Sequence, residues 1–349
     1  MPQILPNESY FSFIFQFLHF RWPLVVQALT NPHILRSKDL IKAILDYNRA
    51  DRWNFDDLRR FLDDYLEDIE KSHFYADILP PLCQLALQLP ELVTQPMPLL
   101  KIHKNQSIAL SQNQIASLLA NAFFCTYPKR NSQGKRSEYA NYPTINFNAL
   151  FNQSNEDRKC EKLNCLINYF RKRIDGRCGN SLVTFTRRSF AQTDCPDWKK
   201  SQKKLRKLRI DSQGCIEDRE NEGMLEVDFA NSYVGGGVLS SGCVQEEIRF
   251  VICPELIISR LFSERLQDNE VLIIQGFERY SNYTGYASTF KFAGDYKPTN
   301  LNGKHDRFAS TLVVMDALKF HFAPNQFRKE NIDRELNKAY VGFYRDPEE

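Results

Sequence analysis

The sequence predicts an α/β domain, a sheet flanked by helices, preceded by a mainly α-helical region. Three observations predict it. In the first half, apolar residues recur at helical spacing. From about residue 180 the texture changes to short runs rich in β-branched and aromatic residues. Helical stretches lie between and after those runs, which is the alternation of an α/β sheet. The chain of 349 residues suits two domains, so residues 1–178 are assigned to a helical accessory domain and 179–349 to the α/β domain.

The first apolar stretch is YFSFIFQFLHFRWPLVV. His19, Arg21 and Pro23 interrupt it short of the ~18 residues a membrane span requires, so it reads as packing surface. In NFDDLRRFLDDYLEDIEKSHF, Leu58, Phe61, Leu62, Tyr65, Leu66 and Ile69 fall on one face of a helix, with Asn54 as its N-cap. SQNQIASLLANAFF places Ile115, Leu118, Leu119, Ala122 and Phe123 on one face of a second helix. Pro96 and Pro98 separate the two. Residues 128–143 read as a polar loop. The strands are expected in LVTFT, MLEVDF, VLIIQGF and TLVVMDALKF. PELIISRLFSERL and NQFRKENIDRELNKAYVGF read as helices. No internal repeat is present.

The net charge of +3 names no partner, and composition is ordinary for a soluble globular protein. One basic run stands out, KKSQKKLRKLR, from Lys199 to Arg209. It suits contact with a polyanion or an import signal, or else a solvated segment whose Leu205 and Leu208 touch the core. Nine cysteines without a CxxC pair suit free thiols in a reducing compartment. The six histidines are scattered without zinc-ligand spacing, so no metal centre is expected.

Glycine is scarce, 14 of 349 residues, yet Gly235, Gly236 and Gly237 are consecutive. They follow the strand MLEVDF, at the strand end where α/β sheets bind ligands. Glycine permits close backbone approach and inward-turned amides, which suits phosphate; a plain flexible turn is the alternative. Glu246 and Glu247 come nine residues later. In a strand adjacent residues face opposite sides of the sheet and on a helix they sit about 100° apart, so in neither case can the pair flank one bond from both sides. One can do acid/base work while the other holds substrate hydroxyls, with burial and mutual repulsion raising a proton affinity. Surface decoration is the alternative, against which Gln245 and the apolar IRFVI run argue for partial enclosure.

The stretch VDFANSYVGGGVLSSGCVQEEIRF closely resembles the signature of the poly(ADP-ribose) glycohydrolases. LPELVTQPMPLLK, QIASLLANAFFCTYPKRN, YPTINFNALF, LVTFTRRSF, PELIISRLFSERL, YSNYTGYA and RELNKAYVGF resemble the same family in the same order. The resemblance implies a helical accessory domain followed by a macrodomain, the ADP-ribose-binding α/β fold. It implies hydrolysis of ribose–ribose O-glycosidic bonds in poly(ADP-ribose), releasing ADP-ribose. Glu247 would be the general acid and Glu246 would orient ribose hydroxyls. Asp228 would support the site from the strand end, and Asn231 and Gln245 would be polar substrate contacts. Gly235, Gly236 and Gly237 would wrap the distal ribose and diphosphate. Tyr286 would contact substrate with Tyr283 nearby, core packing being the bland alternative for both. Ile216 and Glu217 would face adenine, although a one-residue difference in length leaves Glu217 and Asp218 as alternatives.

The resemblance further implies no cofactor, poly(ADP-ribose) or ADP-ribosylated proteins as substrate, a monomer, and a nuclear or cytoplasmic setting. Sequence-specific nucleic-acid binding and membrane association are not expected. The basic run would steer an anionic polymer. The chain ends at AYVGFYRDPEE, where members of the family continue with a second glycine-rich, diphosphate-binding loop and further helix and strand. The expectation is an incomplete macrodomain with an unpaired sheet edge. The alternative to an enzyme is an ADP-ribose-binding short form with weak or no turnover.

Overall fold

The computed structural model describes residues 21–48, 53–130, 137–152, 156–176, 179–204, 206–218, 223–297 and 310–345. The apolar stretch before Arg21, the middle of the 128–143 loop and Leu205 lie outside the described residues. Leu208 is 78% exposed and does not touch the core. Among the described residues, the basic run around it has no helix or strand.

Helix α1 (Trp22–Leu29) has Pro23 in its first turn, where a missing N–H removes no helical bond. Helix α2 (Ser37–Asp46) turns Leu40, Ala43 and Ile44 inward. The helix expected from residue 54 is segmented. Asp56–Arg60 is α-helical, Phe61–Tyr65 is a wide π turn, Leu66 is extended at ψ 136°, and the helix restarts over Asp68–His73. Leu58, Phe61, Leu62 and Leu66 are buried as expected, but Ile69 is 82% exposed. The wide turn and the extended residue shift the helical phase, so the spacing that placed Ile69 on the apolar face no longer applies. Phe55, with φ 51°, occupies the cap position, while Asn54 Oδ1 accepts the Asp56 N–H at 3.4 Å.

Helix α3 (Leu79–Leu87) packs against α4 (Gln112–Phe123). The start of α4 is written in the sequence SQNQ. Ser111 Oγ accepts the Gln114 N–H at 3.2 Å, and Gln114 Oε1 accepts the Ser111 N–H at 2.9 Å. Phe123, at its far end, meets Phe124, Phe147, Phe151 and Phe170 edge-on, with centroids 5.2 to 6.1 Å apart. Each such fully buried ring contributes roughly 1.5–3 kcal/mol by leaving water. Helix α5 (Asp157–Ile174) contributes Phe170 to this aromatic core and packs against the hairpin formed by residues 281–295.

The sheet has the order β1-β2-β4-β7-β3. Its strands are β1 (Gln106–Ser111), β2 (Leu182–Ser189), β3 (Leu225–Ala230), β4 (Glu270–Gln275) and β7 (Thr311–Asp316). A separate hairpin joins β5 (Ser281–Thr284) and β6 (Lys291–Asp295). The sheet is mixed: β3 runs parallel to β7, with Asp228 opposite Val314, and the other pairs are antiparallel. β1 lies on the N-terminal side of residue 178 and pairs with β2, Ile108 opposite Phe185, so the helical part of the chain supplies an edge strand. β1, β5 and β6 are short and half-exposed, which is why their apolar pattern is faint in the sequence.

Helix α6 (Gln245–Ile252) packs against β3. The expected helix PELIISRLFSERL is instead a 3-10 turn over Pro254–Ile258 and one helical turn over Ser259–Phe262, all buried. Helix α7 (Lys329–Phe343) lies against β4 and β7. Gly342 permits that approach, because a Cβ there would lie 2.8 Å from side-chain atoms of both Val313 and Met315. Among the described residues no helix is long and apolar enough to cross a membrane.

Candidate active site

β3 leads into the glycine loop, and the loop leads into α6, so the two glutamates occupy the first turn of that helix. A helix N-terminus carries partial positive charge, which favours carboxylates there. Both side chains bend back onto the loop. Glu246 accepts the N–H of Asn231 at 3.0 Å and of Gly235 at 2.6 Å. Glu247 accepts the N–H of Gly237 at 2.8 Å and of Val244 at 2.9 Å. Residues that an ideal helix would splay apart therefore converge on the same few loop residues.

Gly236 marks the point of convergence. A Cβ there would lie 2.4 Å from Glu247 Oε1 and 2.6 Å from Glu246 Oε2. Its φ of +43° and the +82° of Gly235 lie in the left-handed region. Gly242 is a further requirement that sequence reasoning missed, since a Cβ on it would sit 2.7 Å from Glu247 Oε1. All three glycine amides are engaged, because Gly236 N–H bonds Tyr233 O at 3.0 Å. A diphosphate reaching this loop thus gains close backbone approach rather than a row of unengaged amides.

The loop carbonyls point to two buried cations, neither of which carried a motif. Lys162 of α5 donates to Gly237 O, Ser240 O and Gly242 O at 3.2, 2.8 and 2.6 Å. Arg260 donates from Nη1 to Val234 O and Gly236 O at 2.9 and 3.0 Å, and from Nε to Thr144 O at 2.9 Å. The only sequence signal for either is a cation in an otherwise inward-facing helical position, which a single sequence does not separate from a surface lysine or arginine.

Burial raises the Glu246 carboxyl to about 8, against the Asn231 and Gly235 amides that favour its ionised form. Asp228 is fully buried, and neither of its carboxyl oxygens has a hydrogen-bond partner among the described residues. Burial, then the nearby Glu246 and Glu247, hold it well above the usual carboxylate range. The folded state therefore keeps a proton on Asp228 that the unfolded chain releases near pH ~4. Its stabilising contribution is complete below that pH and is lost as pH rises through the raised folded value. Asp228→Asn is expected to gain on the wild type by up to about 1.4 kcal/mol per pH unit above pH ~4. Denaturant melts at several pH values test this, and parallel stability curves would refute it.

The remaining predicted residues fall into two groups. Gln245 uses its amide on the β3 edge, donating to Val227 O at 3.1 Å and accepting from Phe229 N–H at 3.0 Å. Its own N–H donates to Tyr286 Oη at 3.1 Å, which sets the half-exposed Tyr286 beside the helical turn that carries the glutamate pair. Asn231 is exposed and accepts the Tyr233 N–H at 2.9 Å. The second group is at the β5 hairpin. Tyr283 Oη bonds Glu217 Oε1, and Arg279 donates to Glu217 O at 3.1 Å while lying over the Tyr283 ring. Ile216, beside them in the chain, is half-buried. Asp218 instead accepts the Cys215 N–H at 2.7 Å within its own turn, so Glu217 is the carboxylate that meets Tyr283.

Residues 195–349 match the family model described as poly(ADP-ribose) glycohydrolase, Macro domain fold, and residues 66–187 match that for the helical domain of the same enzyme. Poly(ADP-ribose) glycohydrolase 1 of Arabidopsis thaliana is 38% identical over 304 residues, covering 80% of this chain and 53% of the relative. Probable poly(ADP-ribose) glycohydrolase 2 of the same plant is 34% identical over 311 residues, covering 81% of this chain and 58% of the relative. Poly(ADP-ribose) glycohydrolase 1 of Caenorhabditis elegans is 34% identical over 257 residues, 68% of this chain and 30% of the relative. The chain spans somewhat more than half the length of the two plant relatives.

Proposed function

Because the chain belongs to the poly(ADP-ribose) glycohydrolase family, we propose that it hydrolyses the ribose–ribose O-glycosidic bonds of poly(ADP-ribose) and releases ADP-ribose. One observation carries this reading for the site itself: two carboxylates adjacent in sequence meet at Gly236, on a loop where any side chain would collide with them.

Glu247 protonates the departing ribose oxygen as the glycosidic bond breaks. The ribosyl group left behind has oxocarbenium character, and the ionised Glu247 then takes a proton from the water that attacks it. Glu246 orients the ribose hydroxyls through oxygen lone pairs left over from its two amide bonds. Tyr286 covers the mouth, and Glu217 with Tyr283 holds the base end of the unit. The substrate is free polymer or polymer on ADP-ribosylated proteins. The exposed basic run from Lys199 would raise its local concentration, so turnover should weaken as salt rises.

The test is incubation of the purified chain with labelled poly(ADP-ribose). Release of ADP-ribose is expected. Binding of ADP-ribose with no release would replace the enzyme by a reader.

A further inference from the structure

Two peptide planes link one buried guanidinium to both glutamates. In the Val234–Gly235 peptide, the carbonyl accepts from Arg260 Nη1 at 2.9 Å and the N–H donates to Glu246 Oε1 at 2.6 Å. In the Gly236–Gly237 peptide, the carbonyl accepts from the same Nη1 at 3.0 Å and the N–H donates to Glu247 Oε1 at 2.8 Å. A trans peptide is flat, with its C=O and N–H pointing in opposite directions. Fixing the oxygen of each plane therefore fixes the direction of its N–H. With glycine on at least one side of each plane, steric resistance to rotation of the plane is low, so the orientation must come from bonds.

We propose that Arg260 is a positioning residue of the reaction, setting the directions of the two glutamate carboxylates through the 234–235 and 236–237 peptide planes. It touches no substrate. Its Nε bond to Thr144 O anchors the guanidinium from the opposite side, so the fork cannot swivel. A lysine ammonium could meet the two carbonyls but has no second nitrogen to keep the Thr144 O anchor, so it would hold them on an unanchored, flexible stem. The charged groups facing Arg260 are Glu246 and Glu247 across the loop and Arg130 behind it. Burial lowers Arg260 to about 10, so it stays a cation at neutral pH. The catalytic half of the inference rests on the proposed function; the orienting half does not.

Arg260→Lys keeps the buried charge and Arg260→Met removes it. Amide hydrogen exchange and the amide nitrogen shifts of Gly235 and Gly237 are read in each variant, with helix α4 amides as internal reference. The expected result in Arg260→Lys is at least tenfold lower protection at Gly235 and Gly237 with α4 unchanged. kcat on poly(ADP-ribose) should fall about 10- to 100-fold, with KM moving less than about threefold. Unchanged shifts and protection at the two glycines would overturn the inference, as would an equal loss across α4. If the two glycines lose protection but no chain, wild type included, releases ADP-ribose, the orienting role stands and the proposed function falls.

Discussion

Glu247→Gln is expected to lower release of ADP-ribose from poly(ADP-ribose) by roughly 10²–10⁴-fold, the range a positioned general acid contributes. The substitution is nearly isosteric, and its consequences separate cleanly. Glutamine keeps a carbonyl oxygen that can accept one of the two backbone donors, Gly237 N–H or Val244 N–H. It loses one acceptor, which costs about 1–3 kcal/mol where the abandoned donor is buried. The fold and ADP-ribose affinity should survive that. What glutamine cannot do is give a proton to the leaving ribose and then take one from water. The checks are initial rates on labelled polymer and ADP-ribose affinity by calorimetry. Turnover within tenfold of wild type would remove Glu247 from the chemistry.

Gly236→Ala should be nearly as damaging to turnover, for a steric reason. A φ of +43° costs a non-glycine residue roughly 1–2 kcal/mol. The added Cβ would also lie 2.4 Å from Glu247 Oε1 and 2.6 Å from Glu246 Oε2, so at least one carboxylate must leave its amide donors. Displacement of a reacting group by about 1 Å costs on the order of 100-fold. Gly294→Ala is the control. Gly294 has φ +85° but no atom within 4 Å of its Cβ position, so it carries backbone strain without collision. The expected outcome is a loss of thermal stability in both variants, larger in Gly236→Ala by the abandoned hydrogen bonds, with kcat lost only in Gly236→Ala. Equal activity in the two would show that the glycine is there for backbone freedom alone.

Most of the candidate site was legible because it is local. The glycine triplet, the glutamate pair and the strand before them lie within 23 consecutive residues, and the helix and strand periods around them are strong. The same locality explains the errors. Ile69 was placed on a buried face by a spacing that holds only while a helix keeps its period, and the break at Leu66 ended it. β1 was missed because Gln106, Ser107 and Ala109 are exposed and only Ile108 and Leu110 are buried, too short a pattern to read. Gln245 fits the motif as a polar substrate contact, and the structure adds a bond that the motif does not show, from each end of its side-chain amide to the backbone of β3.

By itself the sequence determined which residues are candidates for the chemistry and where along the chain they lie, because residue type and short-range period are properties of neighbours. The tertiary structure alone decided how those groups point. Lys162 and Arg260 reach the loop carbonyls from 75 to 80 and from 24 to 26 residues away, with no motif of their own, and burial leaves those carbonyls as the partners of their N–H groups. Two adjacent glutamates meet at one glycine because a loop is folded back over a helix N-terminus, and that loop is held by the long-range bonds of Lys162 and Arg260, which no local pattern encodes.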